Sequence, residues 1–151
     1  MRSRKAMLRV LLDTSFILPS LGIDVGEQVF KALKRLVEIE AEIYYSHFSI
    51  LEALWVAARL AAVSSFDPES FSLGLRSIVE GDRYVKTKED SETFSGALRL
   101  YMLGHRDMVD NVLYSDSVRL DLKLLTLDNE LESFIHEKGL RDTFLLPHEI
   151  V

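Results

Sequence analysis

The chain has 151 residues, 48% apolar and 28% charged, enough for one domain with a proper core and too apolar for disorder. Its net charge of −6 argues against a duplex-DNA binder that works mainly through phosphate contacts, although it leaves nucleic acid open if the acids gather around a bound cation. With no cysteine, disulfides, thiolate zinc sites and cysteine nucleophiles are excluded, and no stretch nears the roughly 20 apolar residues of a membrane helix.

Met1-Arg2-Ser3-Arg4-Lys5 is basic, but the apolar run behind it, Leu8–Leu12, is short and stops at Asp13. It reads as a strand rather than a signal peptide, so the cytoplasm is the expected compartment. A helix is expected over Glu27–Glu40, where Val29, Leu33, Leu36 and Val37 recur at helical spacing. Glu42–Tyr45 reads as a strand. Ser46–Ala62 reads as a helix with Phe48, Leu51, Leu54, Trp55 and Ala58 on its apolar side. Pro68 opens a helix over Pro68–Glu80, and Arg83–Lys86 is a strand. Glu89–Leu103 is a helix that Gly104 caps, and Asp107–Leu120 is the next. Strands over Leu124–Leu127 and Thr143–Leu146 flank a helix over Asn129–Lys138. The alternation, without repeat or linker, predicts one α/β domain over residues 1–151.

The acids carry the chemistry. The strand-like runs 8–12 and 123–127 each stop at an acid, Asp13 and Asp128. A near-continuous aliphatic strand suits a buried parallel sheet, and its C-terminal edge is where such sheets bind ligands. Helix capping is the competing explanation, since Asp13, Thr14 and Ser15 all cap well. Thr126 and Asp128 are two apart and share a strand face, so hydroxyl and carboxylate point the same way. Glu52 lies between Phe48 and Trp55 on an apolar helix, a poor place for a merely solvated acid. Asp107 and Asp110 are three apart at a helix start: one caps and the other is free to project, and spacing leaves open which. Asp116, a further six residues along, reads as a solvated acid or as one standing behind the ligands, at the rim of the site or outside it. His47, His105, His136 and His148 show no paired metal spacing, and His105 and Arg106, beside the acidic helix start, read first as surface residues and second as contacts to a phosphate. Carboxylates converging on one edge suit a hard divalent cation.

In order, Asp13-Thr14-Ser15, a helix bearing Glu52, Asp110 at a helix start and Leu125-Thr126-Leu127-Asp128 resemble a PIN-domain protein, the fold of VapC-type toxin ribonucleases and several RNA-processing nucleases. The resemblance spans essentially the whole chain, and the 18-residue step from Asp110 to Asp128 fits it better than the step from Asp107. Asp116 and Ser117 depart from it, standing where small or apolar residues are usual, and Asp121 falls near a usual glycine. It implies a three-layer α/β/α sandwich with a mostly parallel five-stranded sheet of order 3-2-1-4-5, with the strands ending at Asp13 and Asp128 side by side.

The resulting expectation is a ribonuclease using one or two Mg²⁺ or Mn²⁺ ions, the toxin of a toxin–antitoxin pair as the first choice. Asp13, Glu52, Asp110 and Asp128 are its metal-binding and catalytic residues, and Thr14, Ser15, Asp107 and Thr126 its supporting ones. The partners expected are RNA, an antitoxin protein and a second copy of the chain, with the apolar helix around Trp55 as the docking face. A housekeeping RNA-processing nuclease and a non-catalytic PIN-like binding module are the alternatives. A phosphoacceptor receiver domain fits less well, because Thr14 follows Asp13 where an adjacent acid is wanted, and a haloacid-dehalogenase-like phosphatase would need an acid at Ser15.

Overall fold

The computed structural model describes residues 7–63 and 65–150; the basic stretch Met1–Lys5 lies outside them. The chain begins with β1 (Arg9–Leu12), a single helical turn α1 (Thr14–Ile17) and a 3₁₀ turn over Leu18–Leu21. It continues through α2 (Glu27–Glu38), β2 (Glu42–Tyr45), α3 (His47–Ala62) and α4 (Pro68–Val79). β3 (Val85–Lys86), α5 (Ser91–Leu103) and α6 (Met108–Arg119) follow, then β4 (Lys123–Leu125), α7 (Asn129–Glu137) and β5 (Phe144–Leu145).

The sheet order is β3-β2-β1-β4-β5, and every described pairing is parallel. β1 is central, pairing Leu11 with Tyr44 on one side and with Leu124 on the other. The two-residue period of a strand divides its side chains between two faces. Val10, Leu12, Leu125 and Leu145 enter one core with Phe16, Val29, Leu36, Ala53 and Ile78. Leu11, Leu124 and Phe144 enter the other with Leu100, Leu113, Leu131 and Ile135. Two cores on opposite faces make the expected three-layer sandwich.

The strands are shorter than the apolar runs. β4 ends at Leu125, so Thr126 and Leu127 belong to the turn into α7. Thr126 instead gives its hydroxyl to turn hydrogen bonds. The region after Asp13 carries no helix in the sequence expectation, yet Asp13 caps α1 there. Trp55 is 64% exposed and is no core residue. Asp116 is fully buried, so of its two expected placements the solvated one is overturned. Its offset from Asp110 turns it toward α5, where Gly96 allows a close approach: a Cβ on Gly96 would stand 2.5 Å from the Ser115 hydroxyl. Asp121 adopts a left-handed φ of 54°, the conformation that favours glycine.

Candidate active site at the C-terminal edge of the sheet

Each acid is held by local backbone chemistry before any function is considered. Asp13 leaves the end of β1 with its N–H donating to the Leu125 carbonyl at 3.0 Å, which clasps it to the end of β4. Its carboxylate accepts the Thr14 N–H as the α1 cap. The other carboxylate oxygen accepts the Thr126 hydroxyl at 2.7 Å. The Thr126 oxygen in turn accepts the Asp128 N–H at 2.9 Å. The buried Thr126 therefore ties the two strand-end acids into one hydrogen-bonded unit. Asp128 caps α7 by accepting from the N–H groups of Glu130 and Leu131 at 2.9 and 3.2 Å.

Capping and convergence are thus both true. The ambiguity between Asp107 and Asp110 resolves the same way: exposed Asp107 caps α6 by accepting the Asp110 N–H at 3.1 Å. Asp110, one turn in, is 9% exposed. A carboxylate oxygen of Asp110, one of Asp128 and a ring nitrogen of His105 all lie within 4.8 Å of one another.

The proton affinities report how crowded the edge is. The Asp13 carboxyl is pushed up to about 6, first by burial and then by the charges of Glu52 and Asp128, against the lowering effect of the Thr126 and Thr14 hydrogen bonds. Asp110 is pushed up to about 9. Burial is its largest cause, followed by a hydrogen bond to Asp128 that favours the protonated acid, and by the charges of Asp13, Asp107 and Asp128. Among the described residues, no lysine or arginine forms an ion pair with Asp13, Glu52, Asp110 or Asp128. Crowded carboxylates without a cationic side chain form a donor set that fits a divalent metal ion. The buried Thr14 hydroxyl, next to Asp13, has no hydrogen-bond partner either.

Glu52, half-buried in α3, acts on Asp13 through its charge, and neither of the two is among the three donors within 4.8 Å of one another. Ser15 is half-buried in α1. His105 is the residue that sequence reasoning left on the surface. It lies outside regular structure, and only its place beside the α6 start hinted at it. A second acidic pair was also missed: Asp116 is pushed up to about 8, chiefly by burial and then by Glu89. Glu89 accepts the Ser46 and Thr87 hydroxyls at 2.8 Å each. A cavity of about 680 Å³ between α5 and α6, lined in part by Arg99, Arg119 and Arg141, contains none of the strand-end acids.

No model of a known protein family matches the sequence, and no curated protein matches it. Solved structures do match. A chain of VapBC2 from Rickettsia felis, bound to a DNA fragment from their promoter, has a TM-score of 0.62 at 10% identity, covering 91% of this chain and 97% of that one. A chain of DNA-bound VapBC from Salmonella typhimurium has a TM-score of 0.62 at 15% identity, covering 93% and 99%. FitAcB from Neisseria gonorrhoeae gives a TM-score of 0.55 at 18% identity, covering 92% and 98%. At these identities the likeness shows the fold alone: the chain has the PIN-like α/β fold over nearly its whole length.

Proposed function

We propose that the chain is a metal-dependent endoribonuclease and the toxin of a toxin–antitoxin pair. The observation that carries this reading is the meeting of Asp13, Asp110 and Asp128 at one sheet edge, where burial and neighbouring acids raise the proton affinities of Asp13 and Asp110 and, among the described residues, no lysine or arginine forms an ion pair with them. Asp13, Glu52, Asp110 and Asp128 would hold one or two Mg²⁺ or Mn²⁺ ions. A cation there supplies Lewis acidity toward an attacking water and offsets charge developing on the phosphate. Thr126 ties the Asp13 carboxylate to the Asp128 backbone, whose own carboxylate is held by the Glu130 and Leu131 N–H groups, so the geometry is set before substrate arrives. Thr14, with its unpartnered hydroxyl, and Ser15 would orient a ligand or a phosphate oxygen. Asp107 supports Asp110 by capping its helix.

A partner chain is part of the same reading. α3 exposes Leu51, Leu54 and Trp55 together, at 50%, 44% and 64%, and broad apolar surface marks an interface. The solved neighbours are toxin–antitoxin assemblies by name, which supports an antitoxin as one occupant, with a second copy of the chain as the other. A housekeeping RNA-processing nuclease is the alternative role, and the genomic neighbour separates the two.

The test is cleavage of single-stranded RNA by the purified chain in Mg²⁺ or Mn²⁺. Activity lost in excess EDTA and restored by added metal is expected. Undiminished cleavage in the chelator would overturn the metal mechanism.

A further inference from the structure

Resting on the metal-site reading above, we infer that His105 is a nitrogen ligand to the same cation as Asp110 and Asp128, and that it tilts the site toward Mn²⁺ and Co²⁺ over Mg²⁺. The first observation is position. A ring nitrogen of His105 and one oxygen from each carboxylate lie within 4.8 Å of one another. Ligand atoms around one ion with bonds of about 2.1 Å stand roughly 3–4 Å apart, so only a slight closing brings them onto it.

The second observation, independent of the acids, is how the ring is held. Asn111, fully buried on α6, donates its amide Nδ2 to the His105 carbonyl at 2.8 Å. That bond fixes which way the amide faces, so Oδ1 is the atom 2.7 Å from the His105 Nδ1. An amide oxygen only accepts, so Nδ1 carries a proton, and the neutral form of the ring is the one with its lone pair on Nε2. The neutral imidazole is therefore set in the tautomer that binds metal through Nε2, with its other nitrogen donating to an outer partner, as metal-bound histidines do. The ring also packs on Phe134, centroids 5.3 Å apart. The His105 backbone N–H donates to the Leu100 carbonyl at 3.0 Å, anchoring the residue to the end of α5. Gly104, with φ 121°, makes the turn that brings it there.

This arrangement separates His105 from a surface histidine. His136 also meets an acid, Asp142 at 3.1 Å, but that pair is exposed and lies apart from the three-donor cluster. Mg²⁺ strongly prefers oxygen and retains water, whereas first-row transition ions accept imidazole more readily, Mn²⁺ least among them and Co²⁺ more strongly. One nitrogen in an otherwise oxygen set therefore shifts relative affinity without replacing the acids.

The experiment is pulsed electron paramagnetic resonance on the Mn²⁺-loaded full chain, with histidine in ¹⁴N or ¹⁵N form, alongside Mn²⁺ and Mg²⁺ titrations of wild type, His105→Gln and Asn111→Leu. Expected are a histidine nitrogen coupling that changes with the isotope and disappears in His105→Gln. Mn²⁺ affinity should fall on the order of 10-fold in either variant, in the range seen for lost ligand-orienting partners, while Mg²⁺ affinity moves far less. Mn²⁺ that binds the wild type without a nitrogen coupling, or one that survives in His105→Gln, overturns the assignment and leaves the acidic site standing. Mn²⁺ that fails to bind the wild type, as it fails to bind Asp128→Asn, overturns both.

Discussion

Replacing Asp110 by asparagine probes the acidic edge where its charges meet most closely. In the folded chain the Asp110 carboxyl is raised from 3.8 to about 9 by burial, by Asp128 and by the neighbouring charges. Between those values the folded state keeps a proton that the unfolded chain releases. Stability of the metal-free protein must then fall as pH rises through that window, by about 1.4 kcal/mol per pH unit for this one proton. Asparagine carries no such proton and retains an N–H that can donate to Asp128. Asp13 titrates at about 6 and Asp116 at about 8, so wild type alone gives a compound slope, and the difference between the two proteins isolates Asp110. Urea denaturation in EDTA from pH 6.5 to 8.5 should show Asp110→Asn gaining on wild type by about 3 kcal/mol across the range. Added Mn²⁺ should stabilise wild type by mass action and the variant much less. Parallel stability curves for the two proteins in EDTA would refute the crowding argument.

Three other outcomes follow from particular contacts. Thr126→Val removes a hydroxyl that serves both Asp13 and Asp128. It should cost about 1–3 kcal/mol in a urea melt, and it should raise the Asp13 proton affinity further, visible by carboxyl-carbon NMR. Gly74→Ala places a Cβ 2.0 Å from the Ser20 backbone carbonyl, which no side-chain rotation relieves, so the 3₁₀ turn and α4 must part and the melting temperature should drop by several degrees. Trp55→Ser, on an exposed α3 face, should leave the stability of the isolated chain within about 0.5 kcal/mol while weakening self-association in sedimentation.

Much of the fold was legible because apolar spacing carries it. The run around Val10, Leu11 and Leu12 had to be buried on both faces, and the two cores receive those side chains alternately. Asp13, Asp110 and Asp128 were legible as a set because each sits where a strand or turn enters a helix, the position a parallel sheet aims at its binding edge. What sequence left hidden was non-local. His105 reaches Asp110 and Asp128 through the fold of the α5–α6 turn and the grip of Asn111, neither of which leaves a periodic trace. The burial of Asp116 was hidden because a polar residue on a helix reads as solvated, and its neighbour Glu89 comes from a different segment. Strand ends were overrun because Thr126 and Leu127 are good strand formers that the turn recruits for hydrogen bonds instead.

The central claim, that Asp13 and Asp128 act in one nuclease centre, is tested most directly by single-turnover RNA cleavage in Mn²⁺ with wild type, Asp13→Asn, Asp128→Asn and the double variant, all prepared free of host nucleases. Residues that work as a unit are grossly non-additive. Each single variant should therefore lose nearly as much activity as the double. Full activity in either single variant, with the fold intact by circular dichroism, would contradict the shared centre and leave Asp13 and Asp128 as helix caps alone.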